Sequence, residues 1–250
     1  MPDREEKTAS LREPLLAFAA VIAVAAILFW AARTVGFVQQ IMHGAIACAF
    51  LFGPQVAARF SGRPFDPQMA GITVRPLGPS LRVLGLAVLV TWPIFVLGFF
   101  LYYAAICPRH GSLHVWVEAL APVCSRWRGV AAWHWQVPEG FLVLALSQIL
   151  VVAVPEEIFF RGYLMARFEE RWPSRRRLWG ATVGWPLLLS SALFGLGHFL
   201  VDFQPARLAV FFPALAFGWM RRRSGSVAPG AVFHALCNLL SEVLHDSLFY

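Results

Sequence analysis

Apolar positions along this chain gather into long uninterrupted runs and do not alternate with polar ones. Residues 15–32, 34–58 and 83–108 contain no Asp, Glu, Lys or Arg, and each has the length, roughly 17 residues or more, that carries a helix across a hydrocarbon layer of about 30 Å. Further apolar runs occupy 141–167, 178–201, 208–220 and 224–240, the last with an apolar extension toward the C-terminus. Seven runs predict an all-α fold, a polytopic transmembrane helix bundle of about 7–8 helices. Residues 1–14 read as a charged cytoplasmic tail and 15–138 as N-terminal transmembrane helices with their loops. Residues 139–250 form the part in which Glu, Arg, His and Asn enter the apolar runs. No repeat or flexible linker divides these parts, so one integral membrane unit is expected.

Composition agrees: 58% of the 250 residues are hydrophobic and 14% charged, with a mean hydropathy of +0.63, outside the range of soluble domains. A secretory signal is a poor reading of the first run, because Phe29, Trp30 and Arg33 do not make a small-residue cleavage site. The net charge of +7 does not indicate nucleic acid, since the cations sit in short segments between apolar runs. They report topology. With the N-terminus in the cytoplasm, the cations divide about fifteen to five in favour of the cytoplasmic side, as the positive-inside rule requires.

The segment 59–80, rich in Pro and Gly, reads as a connector. Segment 108–138 intersperses Trp116, Trp127, Trp133 and Trp135 with His and Arg, which suggests a re-entrant or surface-lying helix at the membrane interface. His110, His114 and Glu118 follow one another at four-residue spacing there, with no supporting metal motif. Cys107 and Cys124 flank the same segment and could pair in an oxidising compartment. Cys48 and Cys237 lie in apolar runs as small hydrophobes.

Ionisable groups inside a membrane cost a few kcal/mol and persist where they are paired, hydrated or functional. In Pro155-Glu156-Glu157-Ile158-Phe159-Phe160-Arg161, helical spacing puts Glu157 and Arg161 on one face as an ion pair. Glu156 is turned about 100° away without a local partner, as suits a general base. Phe194-Gly195-Leu196-Gly197-His198 and His234-Ala235-Leu236-Cys237-Asn238 each supply an imidazole. His234 and Asn238 share a helical face, and the glycines leave room for a close helix or a substrate backbone. Helix starts near Pro186 and Ser226 put Glu156, His198 and His234 roughly 15, 18 and 12 Å from the cytoplasmic face. The three can therefore meet, whereas a fifth helix starting near Ala181 would lift His198 by about 7 Å. An amide such as Asn238 serves equally to join helices or to bind an oxyanion.

Glu-Glu-x-x-x-Arg, Phe-x-x-x-His and His-x-x-x-Asn, in this order on successive apolar helices, resemble the CAAX-protease and bacteriocin-processing family, over about residues 140–245. The resemblance makes 139–250 the catalytic core of an intramembrane endopeptidase of glutamic type. Glu156 and His198 would activate water, His234 and Asn238 would hold the oxyanion, and Glu157 with Arg161 would be the structural pair. It implies residence in a membrane such as the bacterial inner membrane, and a membrane-anchored protein substrate carrying a C-terminal signal, cut at a site opening toward the cytoplasmic half of the bilayer. His198-Phe199-Leu200-Val201-Asp202-Phe203 and Phe211-Phe212-Pro213 resemble the myxosortase-type members. Glu156, His198 and His234 could also ligate zinc. A Glu/His pair activates water without one, and a zinc site using all three would need a separate base while Glu157 is matched to Arg161. No metal or other cofactor is therefore expected. A non-proteolytic peptide binder such as an immunity protein would use the same pocket, and a proton-coupled transporter would use Glu and His as a relay. Zinc-protease and serine-hydrolase motifs are absent from the sequence.

Overall fold

The computed structural model describes residues 10–68, 70–108 and 124–249. Among them are seven helices: α1 (Arg12–Ala31), α2 (Gly36–Ser61), α3 (Leu77–Ile106), α4 (Phe141–Arg171), α5 (Trp185–Asp202), α6 (Phe211–Ser224) and α7 (Ala228–Phe249). The first five are long and apolar enough to cross a membrane. α6 is too short at 14 residues, about 21 Å at 1.5 Å per residue. α7 is long, but it carries His234, Asn238, Glu242 and Asp246. The protein is thus an integral membrane bundle of helices, and its outward leucines, such as Leu16, Leu89 and Leu142, are more than half exposed, as lipid-facing positions require.

Two departures from the apolar pattern matter for the site. The run beginning at 178 does not start a helix: Arg176–Leu178 (β1) and Ala181–Val183 (β2) pair as an antiparallel hairpin, and α5 begins only at Trp185, with Pro186 in its first turn. The turn residues Trp179 and Gly180 both have positive φ, 48° and 81°, the backbone of a tight hairpin. The second departure is inside α4, where π-helical stretches at Gln148–Ala153 and Ile158–Leu164 flank a short α-helical piece, Val154–Glu157. Pro155 lies in that piece, and a proline removes an amide donor and crowds the preceding turn. Widening the helix on both sides accommodates it.

The end of the bundle that holds the start of α1 is closed by charge. Glu13, expected in a solvated tail, is buried: Arg63 reaches its Oε2 at 2.6 Å, Arg167 its Oε1 at 3.1 Å, and the Tyr163 hydroxyl donates to Oε1 at 3.0 Å. The segment 62–76, read as a mere connector, is docked there. Val227 N–H donates to the Gly71 carbonyl at 2.9 Å, Arg221 Nε to the Ala70 carbonyl at 3.0 Å, and the Ser226 hydroxyl to the Thr73 carbonyl. Gly71 has φ +71°, and a Cβ on it would come within 2.3 Å of the Arg221 guanidinium, so only glycine fits.

At the opposite end Cys107 and Cys124 form a disulfide. The described part of the Trp-rich segment is a single 3₁₀ turn, Val130–Ala132, followed by a strap along α7. The Gln136 N–H donates to the Ser247 hydroxyl at 2.8 Å. Within 125–138 that 3₁₀ turn is the one helical element; residues 109–123, which make up much of the expected surface helix, lie outside the described residues. Trp116 and the His110, His114 and Glu118 set lie outside the described residues.

The core is aromatic. Phe18, Phe50, Phe159, Phe160, Phe194, Phe217 and Phe233 pack as one cluster, mostly edge to face, at 5.0 Å for Phe160 and Phe194 and 5.8 Å for Phe217 and Phe233. These rings form the apolar wall behind the polar groups of α4, α5 and α7.

Candidate active site

Glu157 and Arg161 meet as their spacing predicts. Arg161 Nη1 donates to Glu157 Oε1 at 2.8 Å, with both side chains 1% exposed. Arg161 also donates through Nη2 to the Ala214 carbonyl of α6 at 3.2 Å, and its guanidinium carbon lies 4.3 Å from the Phe194 ring centroid and 5.1 Å from that of Phe217. An ion pair this deep survives only with such added partners. The same Glu157 oxygen lies 3.2 Å from His234 Nδ1, so a carboxylate already matched in charge also orients the α7 imidazole. Phe217 stacks on that imidazole at 4.9 Å with the planes 15° apart. A Cβ on Gly230 would lie 3.4 Å from Glu157 Oε2, so glycine lets α7 pass close to the carboxylate.

His198 is held from behind. Its Nδ1 is 2.9 Å from the carbonyl of Phe194, one turn earlier on α5, so Nδ1 carries the proton and donates. Nε2 then presents a lone pair when the ring is neutral. Phe194 packs against the ring at 4.4 Å, and Gly195 and Gly197 serve helix approach: a Cβ on Gly195 would lie 3.2 Å from the Leu208 carbonyl, and one on Gly197 2.9 Å from Ile22 of α1.

Glu156 brings these groups together. Its Oε2 is 3.9 Å from His198 Nε2 and 3.9 Å from His234 Nε2, and it is buried without a hydrogen-bond partner among the described residues. At 3.9 Å two acceptors do not bond each other, but one water at about 2.8 Å from each spans them. Donating to His198 and to Glu156, that water turns its oxygen lone pairs outward. The two imidazoles approach the carboxylate although α7 begins six residues before His234 and α5 thirteen before His198. The start of α7 is sunk into the protein, with Ser226 fully buried and pinned to the 62–76 segment.

Asn238 stands one turn beyond His234 and donates to Gln148 Oε1 of α4 at 2.8 Å. Gln148 was missed in the sequence. Its one visible signal is an amide in an otherwise apolar run, two turns before Glu156. Asn238 keeps a second N–H, so the contact orients the amide without consuming it. As a zinc set, Glu156, His198 and His234 are spread wider than the roughly 3.3 Å ligand separation of a tetrahedral centre. Among the described residues no group of three His, Cys, Asp or Glu is arranged to hold a metal.

A cavity of about 270 Å³ reaches Glu156 and His198, walled by Ile22, Phe50 and Val152 and bordered by His43 and Arg207. Its outer residues, Phe29 of α1, Met42 of α2 and Asp202 of α5, belong to the end of the bundle where α1 gives way to α2, the end that also holds Cys107. The cavity thus opens toward that end of the bundle and away from the end that holds the start of α1. At the other end Glu13, Arg63 and Arg167 are joined in one ion-pair network.

Residues 138–240 match the family model described as Rce1-like, type II CAAX prenyl endopeptidase Rce1-like. Neither the curated proteins nor the solved structures gave a match to the chain.

Proposed function

We infer that this protein, whose residues 138–240 match the model of the Rce1-like type II CAAX prenyl endopeptidases, is a glutamic-type intramembrane endopeptidase. It hydrolyses a peptide bond near the C-terminus of a membrane-anchored protein. The observation that carries the reading is the unpartnered Glu156 oxygen, 3.9 Å from each of two imidazole nitrogens at the inner end of a cavity.

Water held between Glu156 and His198 attacks the scissile carbonyl carbon, and its proton passes to Glu156 as the C–O bond forms. The developing oxyanion accepts hydrogen bonds from His234 Nε2–H and from Asn238. His234 Nδ1 faces Glu157 Oε1 at 3.2 Å, which turns Nε2 toward the reacting carbonyl. The proton on Glu156 then moves to the leaving nitrogen as the C–N bond breaks. Glu157 and Arg161 position His234. No metal enters these steps.

The disulfide end and the cation-poor end of the bundle coincide, which supports a cytoplasmic N-terminus and a substrate entering from the other leaflet. The test is made with purified native protein, Glu156→Gln and His198→Ala, each added to membranes from cells lacking the chain. Native protein is expected to release C-terminal peptides that neither variant releases. Equal release by all three, or release by none, excludes this function.

A further inference from the structure

A second and larger hollow lies away from the catalytic residues. It is an apolar groove of about 1100 Å³ bounded by α3, the β1–β2 hairpin, the start of α5 and the middle of α6, with Val90, Leu188, Ala216 and Trp219 among its walls. None of Glu156, His198 or His234 lines it. It sits at the end of the bundle closed by the Glu13 network.

Its chemistry is asymmetric. One wall is hydrocarbon, and the hairpin side carries Arg175 and Arg176. Both are exposed, and neither has an ion-pair partner among the described residues. No Asp or Glu lines the groove. The nearby Arg222 contrasts with them, bound to Glu169 at 3.2 Å and to the Thr182 carbonyl at 3.0 Å. Trp179 and Trp185, 78% and 64% exposed, present indoles where a membrane interface would lie. The groove is preformed: Trp219 Nε1 donates to the Leu178 carbonyl at 3.0 Å, and the Arg223 guanidinium lies over Gly180, where a Cβ would come within 2.7 Å.

We propose that this groove binds one anionic glycerophospholipid, its acyl chains along α3 and α6 and its phosphate on Arg175 and Arg176. Charge complementarity selects the occupant. A zwitterionic lipid offers the same phosphate but brings an ammonium beside the two cations and leaves their charge uncompensated, whereas free phosphate would use the cations and leave the wall empty. The leaflet facing the cytoplasm is the one rich in anionic lipid, and it is the leaflet in which a cytoplasmic N-terminus places this end.

The test is native mass spectrometry of the full chain in non-ionic detergent, offered equal phosphatidylglycerol and phosphatidylcholine. An interfacial arginine favours anionic lipid about fivefold, so two give a preference of about 25-fold. Arg175→Gln with Arg176→Gln should bring the ratio near one. Val90→Trp, at a half-exposed wall position, should lower retention of both lipids. Equal retention by the native protein, an unchanged ratio in the double variant, or undiminished phosphatidylglycerol on Val90→Trp would each overturn the proposal.

Discussion

Replacing Arg161 by methionine removes the cation that neutralises Glu157 while keeping most of the side-chain volume. The carboxylate is then left 1% exposed with the His234 contact at 3.2 Å as its remaining polar partner among the described residues. Removing one member of a buried ion pair costs about 3–5 kcal/mol, and the lost bond to the Ala214 carbonyl adds about 1 kcal/mol. Against a folding free energy of about 5–15 kcal/mol, that is a large share. Glu157→Met strands the guanidinium in the same way. The double variant strands neither charge, so its cost should fall at least about 2 kcal/mol below the sum of the singles. The double variant should nonetheless be nearly inactive, because His234 Nδ1 loses its acceptor. The assay is reversible unfolding in mixed micelles, run beside peptide cleavage. Single costs under about 1 kcal/mol, additive costs, or a fully active double variant would refute this account of the pair.

Glu156→Gln and His198→Ala should each lower cleavage by about 10³-fold or more, the first with unchanged unfolding because Glu156 Oε2 has no structural bond to lose, the second with a loss of about 1 kcal/mol from its bond to the Phe194 carbonyl. His234→Phe should cost about 10²–10³ in turnover, as removal of an oxyanion donor does, read by single-turnover kinetics. Gln148→Leu should release the Asn238 amide and lower turnover by roughly tenfold with little change in substrate affinity. Gly195→Val should destabilise by about 1–3 kcal/mol, because its Cβ meets the Leu208 backbone carbonyl at 3.2 Å, as thermal unfolding will show.

The helices were legible in the sequence because a membrane span needs an unbroken apolar run, and Glu157 with Arg161 because a four-residue spacing acts within one helix. The order of the three motifs likewise indicated which groups converge. What was not legible is mostly non-local. Arg176 to Val183 reads as a charge cluster running into an apolar stretch, and a Trp179-Gly180 turn lacks the Asn-Gly signature of a tight hairpin. The π-helical stretches leave the apolar pattern of α4 unchanged. Glu13 looks like a tail residue until Arg63 and Arg167 close on it, and Gln148 finds Asn238 ninety residues away. The pairing of Cys107 with Cys124 stayed open because spacing alone does not bring two sulfurs together. The direction of the cavity depended on which end of the bundle the charge network closes.

The most direct measurement compares C-terminal peptides of membrane proteins, by mass spectrometry, between cells carrying the native chain and cells carrying Glu156→Gln at equal abundance. The account predicts a set of tails that stays attached in the variant and is removed by the native protein. Identical C-termini in the two strains would contradict it and leave the Glu156, His198 and His234 cluster as a binding pocket without catalysis.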